Sequence, residues 1–176
     1  MTFPRTYIDD IIVFDLPKFD DHRGDFRILY NEINNDLPHL RFVQDNFSMS
    51  HKNVVRGLHM QTENPQGKLR CCVRGSILDV AVDLRKDSPT FRKVYTIELT
   101  GNKHIYVPPG FACGMLAQEE DTCLYYKCST DYHGESEVAI HPFDDFLNID
   151  WGLDKDDCIV SDKDLNGISA RDFDGV

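Results

Sequence analysis

The stretch VPPGFACGML, from Val107 to Leu116, indicates the fold class. A strand end, two prolines and a glycine precede small and apolar residues, which is typical of a turn at the mouth of a small β-barrel. In many barrels of this kind, a histidine in such a turn points inward at a metal or a substrate. Here Cys113 takes that place. The sequence therefore leaves open a metal enzyme, a metal-free enzyme and a protein without activity.

The residues around this turn predict further short strands. The segment from Lys93 to Gly110, KVYTIELTGNKHIYVPPG, predicts two strands joined in a hairpin by a turn at Gly101-Asn102. Upstream, GSILDVAVDL alternates, which places Leu78, Val80 and Val82 on one face of a strand and Asp79 on the other. The runs FVQDNFSMS, VVRGLHMQ and TCLYYKCST predict three more strands, and only SDKDLNGISARDF near the end favours a turn or two of helix. Many short strands with regular turns favour an antiparallel barrel or sandwich.

Composition limits the class of protein. The 176 residues, 41% hydrophobic and 28% charged, predict a single globular domain over 1–176. No apolar run is long enough to span a membrane, and the first residues lack the pattern of an export signal, so we expect a cytoplasmic protein. The net charge of −11 argues against nucleic acid as a partner. The six cysteines form no CxxC pair, which argues against a zinc ribbon and predicts mostly buried thiols.

Several residues that suit chemistry are ambiguous when taken singly. Arg56 and His59 are three apart in a predicted strand, so they face opposite ways unless Gly57 introduces a bulge. Without a bulge, the simplest interpretation is an exposed arginine and a core histidine. Lys68 begins another strand, where a lysine is usually a solvated edge charge. Tyrosines in strands, such as Tyr126, are more often packing residues than acids.

Two turn-like segments are equally ambiguous. DHRGDF, from Asp21 to Phe26, is compatible with an ordinary loop. Ser161 and Asp164 in VSDKDL have the spacing of a helix cap. Each segment alone is weak evidence for function.

The order and spacing of these motifs together are more specific. DxRGxF, FVQDNxS, RGLHxQ…QGKL, DVAVDLRKDSPTF, VPPGFAxG, YK…Y…E, IDW and SxKD follow one another from Asp21 to Asp164. As a set they closely resemble the dTDP-4-dehydrorhamnose 3,5-epimerase family over roughly four-fifths of the chain. The resemblance implies an all-β fold, an antiparallel cupin-type (jelly-roll) β-barrel with a few short helices. It also implies a homodimer without metal or other cofactor.

The resemblance also implies a reaction. Family members act on a nucleoside diphosphate hexose with a ketone at C4, and they invert C3 and C5 by removing and returning a proton beside that ketone. This chemistry needs a base, a group that stabilises the enolate oxygen and a proton source on the opposite face. His59 matches the base, Asp164 the carboxylate that orients it, Tyr126 the opposite-face acid, and Lys68 the group that faces the ketone oxygen.

The same resemblance implies a set of substrate contacts. Arg23 and Arg56 would hold the pyrophosphate, for which paired guanidinium hydrogen bonds are suited, and Phe26 would lie against the base. The remaining implied contacts are Gln44, Asn46, Asp79, Cys113, Tyr132, Glu137 and Lys163.

Two departures from the family pattern bear on specificity. The family turn commonly carries histidine where Cys113 stands, and Ile28 replaces a glutamate that reads the nucleotide base. dTDP is therefore the default nucleotide, with UDP, CDP and GDP left open, and inversion of C3 alone or C5 alone is an alternative to inversion of both.

A metal cupin would show an HxH pair, but no second histidine follows His59 in MQTENPQGK, which favours a metal-free enzyme. The remaining alternatives are a sugar-nucleotide ketoisomerase and an inactive sugar-nucleotide binding module.

Overall fold

The structure is a computed structural model that describes residues 5–31 and 41–176. Short strands dominate it, and no helix in this described part has the length and apolarity to cross a membrane. The strands are β1 (Arg5–Ile8), β2 (Ile11–Asp15), β3 (Lys18–Asp21), β4 (Gly24–Arg27), β5 (Gln44–Ser50), β6 (Val54–Gln61), β7 (Lys68–Arg74), β8 (Ser76–Asp83), β9 (Val94–Thr100), β10 (Lys103–Val107), β11 (Phe111–Ala117), β12 (Thr122–Cys128), β13 (Glu137–Ala139) and β14 (Ile159–Val160). The helices are α1 (Asp162–Leu165) and two 3₁₀ turns at Gly134–Ser136 and Lys155–Asp157.

Two sheets contain most of the strands. The first has the order β1-β2-β10-β7-β12-β5, and the second has the order β13-β6-β11-β8-β9, with β14 beside β6. Among the described residues, every strand pairing is antiparallel except that of β14 with β6, and β3 pairs only with β4. The predictions of an all-β antiparallel barrel and of a short helix near the end are therefore confirmed.

The predicted hairpin at Gly101-Asn102 is wrong in its pairing. Both strands and the turn exist, but β9 pairs with β8 in the second sheet, whereas β10 lies between β2 and β7 in the first. Both edges of β10 are occupied by strands distant in sequence, so β9 cannot pair with it. The Gly-Asn turn instead carries the chain from one sheet to the other.

Successive side chains of β8 point alternately into two hydrophobic layers, one on each face of the second sheet. Ala81 packs in the cluster between the two sheets, whereas Val80 and Val82 pack in a second cluster on the outer face of the second sheet. The segment after β13 covers that outer face with Trp151, whose indole N–H donates to the Pro142 carbonyl at 2.8 Å. Because the C-terminal segment packs there, it also carries β14 and α1 to the edge of β6.

A bulge in β6 determines where its side chains point. Cys113 pairs with His59 and Met115 with Arg56, so between these pairs one residue on β11 opposes two on β6. Gly57 has φ +106°, and a Cβ there would lie 2.6 Å from the Cys113 carbonyl oxygen, so only glycine fits. The extra residue, Leu58, is fully buried in the outer cluster. Arg56 and His59 consequently face the same side, as the functional interpretation of VVRGLHMQ requires.

Candidate active site

A cavity of about 550 Å³ lies between the two sheets and contains the catalytic residues expected from the sequence. Strands β7 and β12 line it from the first sheet, β6 and β11 from the second, and β14 with α1 closes one side. The sequence-predicted residues that line it are Arg56, His59, Lys68, Cys113, Tyr126, Lys163 and Asp164.

The helix α1 places a carboxylate against the imidazole. Ser161 caps the helix, because its hydroxyl accepts the Asp164 N–H at 3.2 Å. Asp164 is almost fully buried; its Oδ1 lies 2.6 Å from His59 Nε2, and its Oδ2 accepts the Gly57 N–H at 3.0 Å. The segment thus forms the helix cap, and the same helix places Asp164 against His59, as the functional interpretation of VSDKDL requires.

These contacts select one tautomer of His59. Burial works to raise the pKa of Asp164, but the hydrogen bonds from His59 and Gly57 outweigh it, so the pKa lies below its usual value. An ionised carboxylate only accepts, so in the neutral imidazole Nε2 carries the proton and Nδ1 keeps its lone pair. Within the described residues Nδ1 has no hydrogen-bond partner, and the side chain is 29% exposed. In this tautomer the lone pair on Nδ1 is available to accept a proton.

Tyr126 lines the same cavity from the facing sheet. It lies on β12, whereas His59 lies on β6, so the two side chains approach the cavity from opposite walls. Burial raises the pKa of Tyr126, and the charges of Arg70 and Arg56 oppose this shift without cancelling it. The phenol is therefore protonated at neutral pH. The cavity thus has an imidazole on one wall and a protonated phenol on the other.

Cations dominate the lining. Arg56, Lys68, Arg70 and Lys163 line the cavity, against one carboxylate among the described lining residues, Asp164. Lys68 Nζ donates to the His59 carbonyl at 3.4 Å, so it reaches across to the second sheet. In a protein of net charge −11, this concentration of positive charge is local. It suits a diphosphate and a developing enolate oxygen.

A polar network lies beside the cavity. Glu137 accepts hydrogen bonds from the Tyr132 hydroxyl at 2.8 Å and from Lys163 Nζ. Burial works to raise the pKa of Glu137, but these two donors lower it below its usual value. Gln44 accepts the Tyr132 N–H at 3.0 Å and donates to Asn46 at 2.9 Å. Of these residues only Lys163 lines the cavity itself.

The chain does not bring Arg23 and Phe26 to its own cavity. Both lie on the β3–β4 hairpin, where Arg23 pairs with Asp21 at 2.6 Å and the Phe26 ring lies 6.4 Å from that of Phe19. Phe26 is 65% exposed. Neither residue lines the cavity, and Ile28 does not line it either.

Sequence reasoning missed Arg70, which lines the cavity. Arg70 is two residues after Lys68 in β7, so the period of a strand places both side chains on one face. That spacing was the available signal. Asp79, which was expected to contact substrate, does not line the cavity. It is 1% exposed and lies behind Arg70, and it accepts a hydrogen bond from Arg70 Nη1 at 3.0 Å.

No group of three potential metal ligands among histidine, cysteine, aspartate and glutamate comes together in residues 5–31 and 41–176. His59 and Cys113 are paired across β6 and β11, but a third such ligand does not join them within these residues. Metal independence stays a prediction for experiment.

Comparison with known proteins places this architecture in a family. The family model described as dTDP-4-dehydrorhamnose 3,5-epimerase matches residues 5–172. The dTDP-4-dehydrorhamnose 3,5-epimerase of Methanothermobacter thermautotrophicus is 44% identical over 97% of this chain and 95% of its own. The crystal structure of the enzyme of that name from Elizabethkingia anophelis is 39% identical, with a TM-score of 0.89 over 98% of each chain. A dTDP-6-deoxy-D-glucose-3,5-epimerase from Legionella pneumophila, solved with dTDP-4-keto-L-rhamnose, is 36% identical, with a TM-score of 0.91 over 98% of this chain and 94% of that one.

Proposed function

The chain belongs to the dTDP-4-dehydrorhamnose 3,5-epimerase family, and from that premise and the cavity geometry we propose the following reaction. The protein is an isomerase that epimerises a nucleotide-activated 4-keto-6-deoxyhexose beside its C4 ketone, in deoxysugar and surface polysaccharide biosynthesis. The observation that carries the proposal is the placement of His59, held by Asp164, and Tyr126 on facing walls of one cavity.

The first step is removal of a proton from carbon next to the ketone. The lone pair on His59 Nδ1 takes that proton, and the imidazolium is stabilised by Asp164 at 2.6 Å from Nε2. The electron pair of the broken C–H bond moves to the ketone oxygen. Lys68 has three N–H donors and uses one on the His59 carbonyl, so it has donors left for that oxygen.

The second step fixes the stereochemical outcome. Tyr126 is protonated at neutral pH, because burial raises its pKa. A proton delivered from its wall reaches the face of the sugar opposite to His59, and carbon is reprotonated with inverted configuration. Substrate that fills the cavity displaces water from it, which strengthens each electrostatic contact.

We take dTDP as the nucleotide and inversion of both C3 and C5 as the outcome, since the full catalytic set is present. Arg56 at the cavity wall is the proposed pyrophosphate contact of this chain.

We also propose a single domain over 1–176 that needs no metal or other cofactor. A cytoplasmic location is part of the proposal, and the six free cysteines support it, because thiols persist in a reducing compartment.

A homodimer is the proposed assembly, because the chain exposes two apolar surfaces. Phe47 and Met49, 64% and 60% exposed, project from β5, the edge strand of the first sheet. Phe26 is similarly exposed on the β3–β4 hairpin. A partner that covered β5 would explain its apolar side chains. The partner's hairpin would then be free to bring Arg23 and Phe26 to this cavity.

Mixing variants tests the homodimer. Arg23→Ala and His59→Ala chains are each expected to be inactive. If the hairpin acts on the partner's cavity, mixed dimers contain one intact site and recover activity. If no activity returns although co-purification of differently tagged chains shows mixed dimers, the hairpin does not complete the partner's site. A monomer found by light scattering would refute the assembly altogether.

Proton NMR in heavy water tests the reaction. With dTDP-4-keto-6-deoxyglucose, we expect loss of the C3 and C5 proton signals and appearance of the inverted sugar, and UDP, CDP and GDP analogues report nucleotide choice. His59→Ala should show no exchange while it still binds dTDP. Ligand binding by the wild type without deuterium uptake would instead indicate a binding module, and migration of the ketone would indicate a ketoisomerase.

A further inference from the structure

Arg70 is a buried cation beside the proposed acid. In the register of the first sheet, Arg70 on β7 pairs directly with Tyr126 on β12. Both side chains line the cavity, so they project from the same face of the sheet. Directly opposed residues of antiparallel strands have Cβ atoms about 4.5–5.5 Å apart, so the guanidinium and the phenol ring are neighbours.

The guanidinium is held from behind. Nη1 lies 3.0 Å from Asp79 Oδ1 and 2.9 Å from Oδ2, and Nη2 donates to the Gly114 carbonyl at 3.2 Å. Arg70 is 4% exposed and Asp79 is 1% exposed. Two contacts on different nitrogens fix the plane of the guanidinium, which leaves further N–H groups directed elsewhere.

Stability alone is a poor explanation for this pair. Burying two charges carries a desolvation cost that their attraction often fails to exceed, and apolar residues of similar volume are frequently as stable. The neighbouring inward residues Cys72, Leu124 and Ile105 belong to the apolar cluster between the sheets. An ion pair in that layer, with its cation at the cavity wall, points to a role in the site.

Resting on the proposed function, we propose that Arg70 is a positioning residue that stabilises the phenolate left on Tyr126 after proton donation. In that step the O–H bond of Tyr126 breaks, a C–H bond forms on the sugar, and the electron pair of the O–H bond stays on the phenol oxygen. The phenolate then recovers a proton from solvent as the product leaves. Asp79 holds the guanidinium in place throughout.

The environment of Tyr126 gives this cation its importance. Burial makes the phenolate costly, which is why the pKa of Tyr126 is raised. Two cations work to lower this pKa, and Arg70 has the larger effect. The second, Arg56 on β6, donates through Nε to Ser50 on β5. Preorganised donors near developing charge are commonly worth about 10²–10³ in rate.

The test separates proton removal from inversion. Arg70→Met removes the charge, and Arg74→Met is the matched control, because Arg74 lies on the same strand with its side chain 66% exposed and paired with Asp121. In heavy water, we expect R70M to slow formation of the inverted sugar about 10²-fold. Deuterium uptake into recovered substrate should change less than about threefold, because His59 still removes the proton. R74M should alter neither rate.

A double-variant comparison shows whether Arg70 acts through Tyr126. In the Tyr126→Phe background no phenolate forms, so R70M should cause less than about a threefold further change in any rate. An equal loss in both backgrounds overturns the proposal. So does an equal fall of uptake and inversion in R70M alone, or unchanged inversion. By contrast, uptake that survives in His59→Ala, or full activity of Tyr126→Phe, contradicts the proposed function itself.

Two further variants serve as controls in case R70M does not fold. Burial raises the pKa of Asp79 to about 6 even with Arg70 beside it, so without Arg70 this carboxyl is expected to be neutral at assay pH. Arg70→Met combined with Asp79→Asn removes both charges and should show the same selective loss of inversion. Arg70→Lys keeps a charge and should restore inversion at least about tenfold over R70M. If R70M fails to fold, the double variant takes its place as the reference for Arg70→Lys.

Discussion

Replacement of Asp164 by asparagine tests how the base is prepared. The carboxylate accepts two hydrogen bonds, from His59 Nε2 at 2.6 Å and from the Gly57 N–H at 3.0 Å. An asparagine has one oxygen, which stays on the Gly57 N–H because that group can only donate. The amide NH₂ then meets Nε2, which must accept. The proton of the neutral imidazole consequently moves to Nδ1, the atom proposed to remove the substrate proton.

The magnitude follows from these two changes. A base that presents N–H instead of a lone pair loses a contribution of about 10²–10⁴ in rate, and the imidazolium loses its ionised partner. Arg56, Lys68 and Lys163 are unchanged, so KM for the nucleotide sugar should change less than about threefold. Loss of one charge-assisted hydrogen bond at a buried site should lower the free energy of unfolding by about 1.5–3 kcal/mol.

The assay is deuterium uptake by NMR together with urea unfolding. Asp162→Asn is the matched control, because Asp162 lies on the same helix α1 and is exposed. We expect D164N to lose uptake and inversion together, and D162N to match the wild type. Uptake by folded D164N within about threefold of the wild type would refute the assignment of the tautomer.

Three other perturbations have definite expected results. Gly57→Ala places a Cβ 2.6 Å from the Cys113 carbonyl at φ +106°, so it should lower the unfolding free energy by about 1–3 kcal/mol in urea titration and reduce deuterium uptake as His59 shifts. Burial opposes ionisation of Asp83, but hydrogen bonds from Arg85, Ser88 and Thr90 lower its pKa to about 2. The pKa is depressed on folding, so this stabilisation is present above about pH 4 and is lost as pH falls towards 2. It amounts to about 2 kcal/mol, and Asp83→Asn should flatten the dependence of urea unfolding on pH in that window. Dialysis against a chelator should leave the epimerisation rate unchanged, and a loss restored by added zinc would contradict the metal-free assignment.

Local patterns predicted the strands because side-chain alternation survives in the folded sheets. Leu124 and Tyr126 do face the cavity together, as the period of two in TCLYYKCST requires. Which strands pair with each other was harder to predict from the sequence. The Gly101-Asn102 turn gives the local chain reversal but carries no information on which strand lies beside β10, and that is settled by distant contacts with β2 and β7.

Some residues of the candidate site could be predicted from the sequence and others could not. Motif order predicted His59, Lys68, Tyr126 and Asp164, and the structure places all four around one cavity. Arg70 was missed, since nothing in the sequence alone distinguishes it from a solvated strand arginine until the face of Lys68 is known. The positions of Arg23 and Phe26 were beyond prediction, because a single sequence does not say whether a hairpin folds over its own barrel or projects from it.

The most direct test of a two-sided cavity is the fate of deuterium in Tyr126→Phe. With dTDP-4-keto-6-deoxyglucose in heavy water, His59 should still remove the proton and return deuterium from its own face. Recovered sugar should then be deuterated beside the ketone with its original configuration, while inverted product falls at least about 10²-fold. Inverted product at the wild-type rate would show that the second proton does not come from Tyr126, and the proposed division of roles between the two walls would be wrong.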